Sequence, residues 1–274
     1  MSDTLPPESR VGRAALAASE PDRLAAFYRD VVGLAVHSGN EDRVTLGAGG
    51  DDLVVLDHTD AGARPAASAG LFHLAVRVPS RAALGDALRR RREWGLDGAS
   101  DHGGSEALYL SDPEGNGVEI YRDRPRREWP TDGDRVAMVT EPLDREGVAA
   151  AAAGADGVPP ETDVGNVHLE VTDLAAARGF WVDALGLRVR QEWDGALFLA
   201  AGDYHHHVGL NTWNRRTPPV EGQGVEWVEL LVPGDAVAAA RSRLERAGFG
   251  TREAEEGVAV EDPDGIGLRL RALR

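Results

Sequence analysis

Apolar and polar residues alternate in short stretches along the chain, and these stretches fall into groups. In each group, a segment with a helical pattern follows the first stretch and precedes the others. Near the start, the apolar segment VGRAALAA (11–18) precedes an amphipathic segment near 20–32 that ends at Gly33. Three alternating stretches follow: LAVHSG, RVTLGAG and DDLVVLD. A period of two predicts strands, while an amphipathic helical period ended by glycine predicts a helix. This part of the chain is therefore predicted to form one strand, one helix and three strands.

The same order of elements recurs three more times. From residue 71 it reads FHLAVRV, SRAALGDALRRRREWG, EALYLSD and VEIYRD, with PEGNG as a turn, and it returns from 166 and from 225. The pattern predicts an α+β fold of four βαβββ modules, at 11–60, 71–123, 165–213 and 225–273. A single module exposes the apolar face of its sheet, so we expect the modules to pair into two half-barrels that shelter a ligand.

Internal repetition divides the chain into halves. AAFYRDVVGLAV (25–36) matches RGFWVDALGLRV (178–189), and DPEGNGVEI (112–120) matches DPDGIGLRL (262–270), both offset by about 150 residues, which indicates a duplication. We expect an N-terminal pair of modules at 11–123, a linker at 124–162 and a C-terminal pair at 165–273. Within the linker, DREGVAAAAAG predicts one short helix.

Composition narrows the classes of function. The 274 residues are 42% hydrophobic, enough for a buried core, and none is cysteine, which excludes disulfides and thiolate ligands. The net charge is −16 and all 30 basic residues are arginine, so nucleic acids and anionic membranes are not expected as partners. The dense acidic surface fits a GC-rich genome and, better, a salt-rich, halophilic cytoplasm. Without a signal-peptide pattern or an apolar run of ~20 residues, a cytoplasmic location is expected.

Equivalent positions of the four modules carry different chemistry. Module two has His73 on its first strand and Glu119 on its last, where module four has Trp227 and Arg269. Module three has His168 at the position of His73, and module one has an alanine there. A lone histidine in an apolar strand is more often a hydrogen-bonded core residue. Two histidines and one carboxylate gathered in modules two and three instead match the 2-His-1-carboxylate set of non-haem Fe(II) sites.

Three of the eight histidines stand together in GDYHHHVGLN (202–211), directly before an alternating apolar run. Their position inside the chain rules out a purification tag. They form either a solvated turn or a segment in which at least one imidazole faces a site. If the strand has already begun, His207 and His205 share one face and His206 takes the other.

The segments SEALYLSDPEGNGVEIYRDRPR and GDYHHHVGLN resemble signature segments of the catechol 2,3-dioxygenase group, the type I extradiol ring-cleaving dioxygenases of the vicinal oxygen chelate superfamily. The resemblance covers residues 11 to 272, and the superfamily's paired βαβββ modules match the predicted fold. It implies cleavage of a catechol by O₂ to a hydroxymuconic semialdehyde. Fe(II) is the implied cofactor, although the same ligands accept Mn(II). Members of the superfamily often form dimers or tetramers, so a homo-oligomer fits as well.

The resemblance also implies residue roles. His168, His73 and Glu119 resemble the iron ligands. His207 resembles the acid/base catalyst, and Tyr109, ten residues before Glu119, resembles the tyrosine that contacts a substrate oxygen. His102 matches a second active-site histidine with looser spacing, and the roles of His205 and His206 stay open.

One departure from the family pattern affects the domain organisation. In better-known ring-cleaving enzymes the iron lies within the second pair of modules, whereas here the ligands would come from modules two and three, which must then pair across the linker. Two alternatives stay open within the superfamily. One is a glyoxalase-like metal-dependent isomerase or transferase, which the lack of a glutamate beside Gly209 disfavours, and the other is a metal-free protein that binds aromatic drugs.

Overall fold

A computed structural model describes residues 4–91, 94–254 and 256–273, and each of the four predicted modules is present in it. Module one contains β1 (Arg10–Ala18), α1 (Pro21–Phe27), β2 (Ala35–Gly39), β3 (Arg43–Ala48) and β4 (Asp51–His58). Module two contains β5 (Gly70–Arg77), α2 (Arg81–Arg90), β6 (Gly98–Asp101), β7 (Ser105–Ser111) and β8 (Gly117–Asp123). The α+β class is therefore confirmed.

The linker and the second half follow in chain order. The linker holds a single 3₁₀ turn (Arg126–Glu128), β9 (Thr131–Asp132), β10 (Arg135–Val136), β11 (Glu141–Pro142) and α3 (Arg145–Ala150). Module three contains β12 (Asp163–Glu170), α4 (Leu174–Arg178), β13 (Arg188–Trp193), β14 (Ala196–Ala200) and β15 (Val208–Asn211). Module four contains β16 (Gly224–Val232), α5 (Gly234–Arg246), β17 (Arg252–Ala254), β18 (Gly257–Glu261) and β19 (Gly267–Ala272). Among the described residues, no helix is both long and apolar enough to cross a membrane.

The structure corrects two details of the predicted elements. The helix predicted over 80–95 ends at Arg90, and a turn begins at Arg91. The Arg91 side chain donates a hydrogen bond to the Trp94 carbonyl. Residues 92 and 93 lie outside the described part of the chain. The linker contains the predicted helix and also short strands that the sequence pattern does not reveal. Of these, β11 pairs with β6 through its backbone. A strand at a sheet edge can pair in this way without alternating apolar residues, so the sequence pattern does not predict it.

The chain divides into two compact units. The first unit comprises Leu16–Ala61 and His73–Gly165, and the second comprises Met1–Ala15, Gly62–Phe72 and Asn166–Arg274. The first unit contains the strand orders β4-β3-β2 and β11-β6-β7-β8-β5, and the second contains β17-β18-β19-β16 and β12-β15-β14-β13. In modules two, three and four the first and last strands pair in parallel, while the remaining pairs are antiparallel.

An arginine joins the two modules within each unit in the same way. Arg90 on α2 donates to the Val32 carbonyl at 2.6 Å, and Arg243 on α5 donates to the Leu185 carbonyl at 2.6 Å. Both carbonyls lie at the ends of short π-helical segments, 28–32 and 179–184, where backbone oxygens lack helical partners. Gly33 follows the first segment with φ +96°, and a Cβ there would lie 2.5 Å from the Arg90 Cζ. Glycine is therefore required beside this guanidinium.

A buried aspartate closes each of the two repeated DP turns. The Asp262 Oδ1 accepts the backbone N–H groups of Asp264 and Ile266, both at 2.9 Å. Asp112 does the same for Glu114 and Asn116 at 2.9 Å. Burial raises the pKa of Asp262 to about 6, the backbone N–H of Ile266 opposes this, and the Asp264 charge adds to the rise.

We expect Asp262→Asn to change how stability depends on pH. Because the native pKa of about 6 exceeds the ordinary 3.8, the folded protein binds this proton more tightly than the unfolded chain. That contribution is fully present below about pH 4 and is lost as the pH rises through about 6. Between pH 4 and pH 7 the variant should therefore gain about 2 kcal/mol of unfolding free energy relative to wild type, out of about 3 kcal/mol over the whole titration at about 1.4 kcal/mol per pKa unit.

Urea unfolding of both proteins at four pH values between 4 and 7 measures this difference. Asp22→Asn, at an exposed position of α1, is the control and should follow the wild-type dependence. Identical pH dependence of Asp262→Asn and wild type would show that the buried carboxyl is not the source.

Candidate functional site

Neighbouring parallel strands bring His73 and Glu119 together in the first unit. Ala75 on β5 pairs with Glu119 on β8, so His73, two residues before Ala75, points to the same face as Glu119. The His73 Nε2 lies 3.2 Å from the Glu119 Oε2. Both side chains are buried, with 8% and 5% of their surface exposed. Comparison of the modules predicts both residues as metal ligands, and in the structure they are in contact.

The surroundings of Glu119 keep it ionised. Burial is the largest single effect and raises the pKa of its carboxyl. The charge and hydrogen bond of His73, the charge of His102 and the hydrogen bond from Tyr109 together lower that pKa by more than burial raises it. The net pKa is below its ordinary value. An anionic oxygen beside an imidazole nitrogen in a buried site is a donor pair suited to a divalent metal ion.

Tyr109 and His102 extend this pair into a chain of hydrogen bonds. The Tyr109 hydroxyl donates to the Glu119 Oε1 at 3.0 Å and lies 2.7 Å from the His102 Nε2. The His102 Nδ1 lies 2.6 Å from the Val139 carbonyl, which can only accept, so Nδ1 donates. The Tyr109 hydroxyl thus lies between the Glu119 carboxylate and the His102 imidazole. Burial and the Glu119 charge raise the pKa of Tyr109 well above its ordinary value, so the phenol stays protonated.

His168 lies in the second unit within an aromatic surround. Its ring centroid is 5.1 Å from that of Phe72, 5.6 Å from that of Phe198 and 5.3 Å from that of Trp213, each in an edge-on arrangement. The side chain is buried on β12. Gly209, its partner on β15, leaves room for the ring: a Cβ there would lie 2.7 Å from the His168 Cδ2.

The three consecutive histidines precede the strand. Because β15 begins only at Val208, strand alternation does not set their directions. His205 and His207 are buried, so a solvated turn is wrong for both. His207 stacks on Tyr204 at 4.8 Å, and its Nδ1 accepts the Ala201 backbone N–H at 3.2 Å. In the neutral imidazole the proton therefore sits on Nε2, while the Nδ1 atoms of His205 and His206 lie 2.8 Å apart.

Module four fills the equivalent of the His73–Glu119 position with a different pair. Glu229 pairs with Arg269 as Ala75 pairs with Glu119, so Trp227 and Arg269 occupy the corresponding places. The Arg269 guanidinium lies 3.7 Å from the centre of the Trp227 ring. This cation–π contact replaces a metal-capable pair by one that binds no metal.

Sequence reasoning missed residues that the strand register identifies. On β15, Asn211 takes the place of Glu119, because it pairs with Glu170 as Glu119 pairs with Ala75. Glu170 is buried and holds the following loop through Asn214 and Arg216. An alignment of the modules by strand pairing, rather than by motif, would have shown both positions.

The donors of the first unit pass a simple test of fit to a metal. Two ligands about 2.1 Å from one ion and at right angles are about 3 Å apart, close to the 3.2 Å between the His73 and Glu119 atoms. Within residues 4–91, 94–254 and 256–273, no group of three or more histidine, aspartate or glutamate side chains is already arranged to hold a metal ion. The fit therefore rests on a two-residue donor pair.

Comparison with known proteins gives the family. The model described as "Glyoxalase-like domain" matches residues 13–121, and "Glyoxalase/Bleomycin resistance protein/Dioxygenase superfamily" matches residues 164–270. The catechol-2,3-dioxygenase of Bacillus subtilis (strain 168) is 37% identical over 272 residues, which cover 93% of this chain and 94% of that protein. The chain belongs to the catechol-2,3-dioxygenase family. The predicted resemblance and the prediction of an enzyme are both confirmed.

Solved structures agree with this family's fold. A putative dioxygenase from Bacillus subtilis superposes with a TM-score of 0.67 at 12% identity, over 96% of this chain and 84% of that one. Glyoxalase I from Zea mays superposes with a TM-score of 0.59 at 15% identity, over 96% and 92% of the two chains. At these identities the likeness concerns the fold alone, and it confirms the curled half-barrel sheets predicted for the family.

Proposed function

We propose that this member of the catechol-2,3-dioxygenase family cleaves a catechol with O₂, next to the diol, to a hydroxymuconic semialdehyde with Fe(II) as cofactor. The observation that carries the proposal is the buried His73–Glu119 pair with Tyr109 hydrogen-bonded to it, in a chain 37% identical to a catechol-2,3-dioxygenase. The same identity over 93% of the chain favours this activity over a glyoxalase-like isomerase or transferase and over metal-free drug binding.

We propose His73, Glu119 and His168 as the ligand set. Two buried donors of the first unit support it, together with the position of His168, which matches that of His73 in the module repeat. When bound, Fe(II) supplies coordination positions for both catechol oxygens and for O₂, and it lowers the pKa of the diol. Mn(II) is compatible with the same donors.

Three further side chains would handle protons and orient the substrate. Tyr109 stays protonated beside Glu119 and can donate to a substrate oxygen. His102 holds that phenol in place and, being partly exposed, connects it to solvent. The His207 Nδ1 accepts a backbone hydrogen bond, so Nε2–H is the group of this side chain that can donate to an oxygen atom derived from O₂.

Anaerobic reconstitution with Fe(II), followed by a panel of catechols in air, tests the proposal. We expect O₂ uptake and a yellow ring-fission product from at least one catechol. The absence of both with every catechol, in protein that has taken up iron, would refute it. The cytoplasmic location, the salt-rich cytoplasm and the homo-oligomeric state remain predictions from the sequence.

We expect Gly209→Ala to weaken metal binding without removing a ligand. The added methyl would lie 2.7 Å from the His168 Cδ2 and 2.8 Å from its Cγ, so the imidazole must move. Overpacking of this kind typically costs about 1–3 kcal/mol, and a displaced ligand should lower the iron content. Metal analysis and thermal unfolding measure the two effects.

Gly179→Ala is the matched control, because a Cβ at that position meets no atom within 4 Å. It should keep the wild-type iron content. Full iron occupancy in Gly209→Ala would show that the position of the His168 ring does not matter for the metal.

A further inference from the structure

The first unit contains a cavity of about 570 Å³ between the π-helical segment 28–32, the end of α2 and the linker. Its volume lies within the range of small-molecule sites, roughly 300–1,000 Å³. Its described lining includes three arginines, two aspartates and one tryptophan: Arg29, Arg90, Arg91, Asp30, Asp156 and Trp94. Neither the proposed metal ligands nor the proposed proton-handling residues belong to this lining, so the cavity is separate from the candidate active site.

Positive charge exceeds negative charge among these described lining residues. The Asp30 carboxylate accepts two hydrogen bonds from the Arg29 guanidinium, at 2.7 and 2.8 Å, so these two charges cancel. Within the part of the chain that the structure describes, Arg90, Arg91 and Asp156 form no ion pair. Two positive charges and one negative charge therefore remain, and a ligand with a single negative charge would balance them.

Arg90 carries a buried charge that the protein compensates only in part. Its Nη2 donates to the Val32 carbonyl at 2.6 Å, but its Nε and Nη1 are buried without a hydrogen-bond partner. Burial lowers the pKa of this guanidinium, and the charges of Asp86 and Asp156 oppose that effect. Because a buried charge is costly unless it is paired, an anion in the adjacent cavity would be attracted to it.

Comparison of the two units shows which of these features the fold itself requires. Each unit has one arginine bound to a carbonyl at the end of a π-helical segment, so this contact is structural. Each unit also packs an aromatic ring on the matching phenylalanine: Trp94 lies 5.0 Å from Phe27, and Phe249 lies 4.9 Å from Phe180. The arginine–carbonyl contact and the aromatic pair alone therefore do not indicate a ligand.

The two other arginines of the cavity have no counterpart in the second unit. In the aligned repeats, Val182 stands where Arg29 does, and Leu244 takes the place of Arg91, because each follows the arginine of the carbonyl contact by one residue. The last turn of α2 already contains two further arginines that complement the helix dipole, so the end of the helix does not require Arg91. These two additional guanidinium groups indicate an anionic ligand.

The remaining lining residues narrow the class of anion. The Trp94 indole is 37% exposed and is fixed by its Nε1–H, which donates to the Ser111 carbonyl at 3.0 Å. It offers a flat apolar surface in the same cavity as the guanidinium groups, which bind planar carboxylates with two parallel hydrogen bonds. Asp30 and Asp156 would repel a second negative charge. A single carboxylate on a flat conjugated group therefore fits better than a phosphate.

We propose that this cavity is a second ligand site, which binds a planar conjugated monocarboxylate. The carboxylate binds Arg29 and Arg91, the flat part of the ligand lies against Trp94, and Arg90 attracts the anion as a fixed charge. Aromatic acids and open-chain dienoic acids share this chemistry. The inference is independent of the proposed function, because the cavity takes no part in ring cleavage.

Calorimetric titration of the full-length protein with sodium benzoate, at pH 7 and low ionic strength, tests this assignment. We expect a Kd of about 1 mM. Arg91→Gln removes the excess positive charge and should weaken binding by at least about tenfold. Asp156→Asn increases that charge and should tighten binding about threefold, a gain that loss of folding cannot produce. Arg23→Gln is the control, since Arg23 is an exposed arginine of the first unit outside the cavity, and it should bind benzoate as wild type does.

Other anions test the ligand class. Cyclohexanecarboxylate, which is not planar, and inorganic phosphate should each bind at least about fivefold more weakly than benzoate. Sorbate represents the open-chain dienoic acids: tighter binding of sorbate than of benzoate assigns the site to them, and the reverse order assigns it to aromatic acids. Phosphate binding as tight as that of both carboxylates would overturn the ligand class.

A last variant locates the bound benzoate. Glu119→Gln should leave the benzoate affinity unchanged, because Glu119 does not line this cavity. Loss of benzoate binding in Glu119→Gln, with none in Arg91→Gln, would place the ligand at the His73–Glu119 pair and overturn the inference. Equal benzoate affinities of wild type, Arg91→Gln and Asp156→Asn would overturn it as well.

Discussion

Glu119→Gln is expected to abolish most metal binding and catechol cleavage while leaving the fold intact. The amide keeps the size of the side chain and can still accept from Tyr109, but it removes the negative charge that the pKa of Glu119 keeps in place. Loss of one partner of a buried charged pair costs about 3–5 kcal/mol, and a loss of that size in metal binding corresponds to a fall in affinity of about 10²–10⁴-fold. Metal content after anaerobic reconstitution and the rate of ring cleavage are the measurements.

Glu106→Gln separates this effect from simple destabilisation. Glu106 is also a buried glutamate of the first unit, on β7, where it forms ion pairs with Arg81, Arg122 and Arg124. Its replacement should lower the melting temperature while the folded fraction still takes up iron. Normal iron content and activity in Glu119→Gln would remove Glu119 from the ligand set.

His207→Phe is expected to separate catalysis from metal binding. Phenylalanine keeps a ring that can stack on Tyr204, but it has no Nε2–H to donate. General acid–base catalysis usually contributes about 10²–10⁴-fold, so kcat should fall within that range while iron content stays at the wild-type level. Single-turnover kinetics with a catechol, together with iron analysis, measure both.

His58→Phe is the control for a histidine outside the site. Its side chain is exposed in the first unit, and both activity and iron content should be unchanged. If His207→Phe loses iron in proportion to activity, His207 acts as a ligand instead of an acid–base group.

Much of the fold and part of the site follow from local sequence pattern. Alternation and glycine positions predict the four modules, because each module is stabilised by residues close in sequence. The same comparison of modules predicts that His73 and Glu119 belong together, and they are in contact at 3.2 Å. It also predicts that module four lacks a metal-capable pair, and in the structure Arg269 stacks on Trp227 at these positions.

The remaining features depend on contacts that local pattern does not encode. His205 and His207 are buried in a loop that precedes β15, which begins only at Val208. The alternation of side chains along a strand therefore cannot predict which way they point. The position of the Trp213 side chain depends on the Asp194 carbonyl, and its loop is held by the buried Glu170, both distant from it in sequence. Each of these features is set by packing and hydrogen bonds between elements that are separate in sequence.

The stacked Trp227–Arg269 pair couples the side chains that either position can accept. Arg269→Glu alone would place a carboxylate against a buried indole, and Trp227→His alone would set an imidazole against the guanidinium. A histidine and a glutamate at these two positions would therefore have to be introduced together, because each side chain of the present pair is the packing partner of the other.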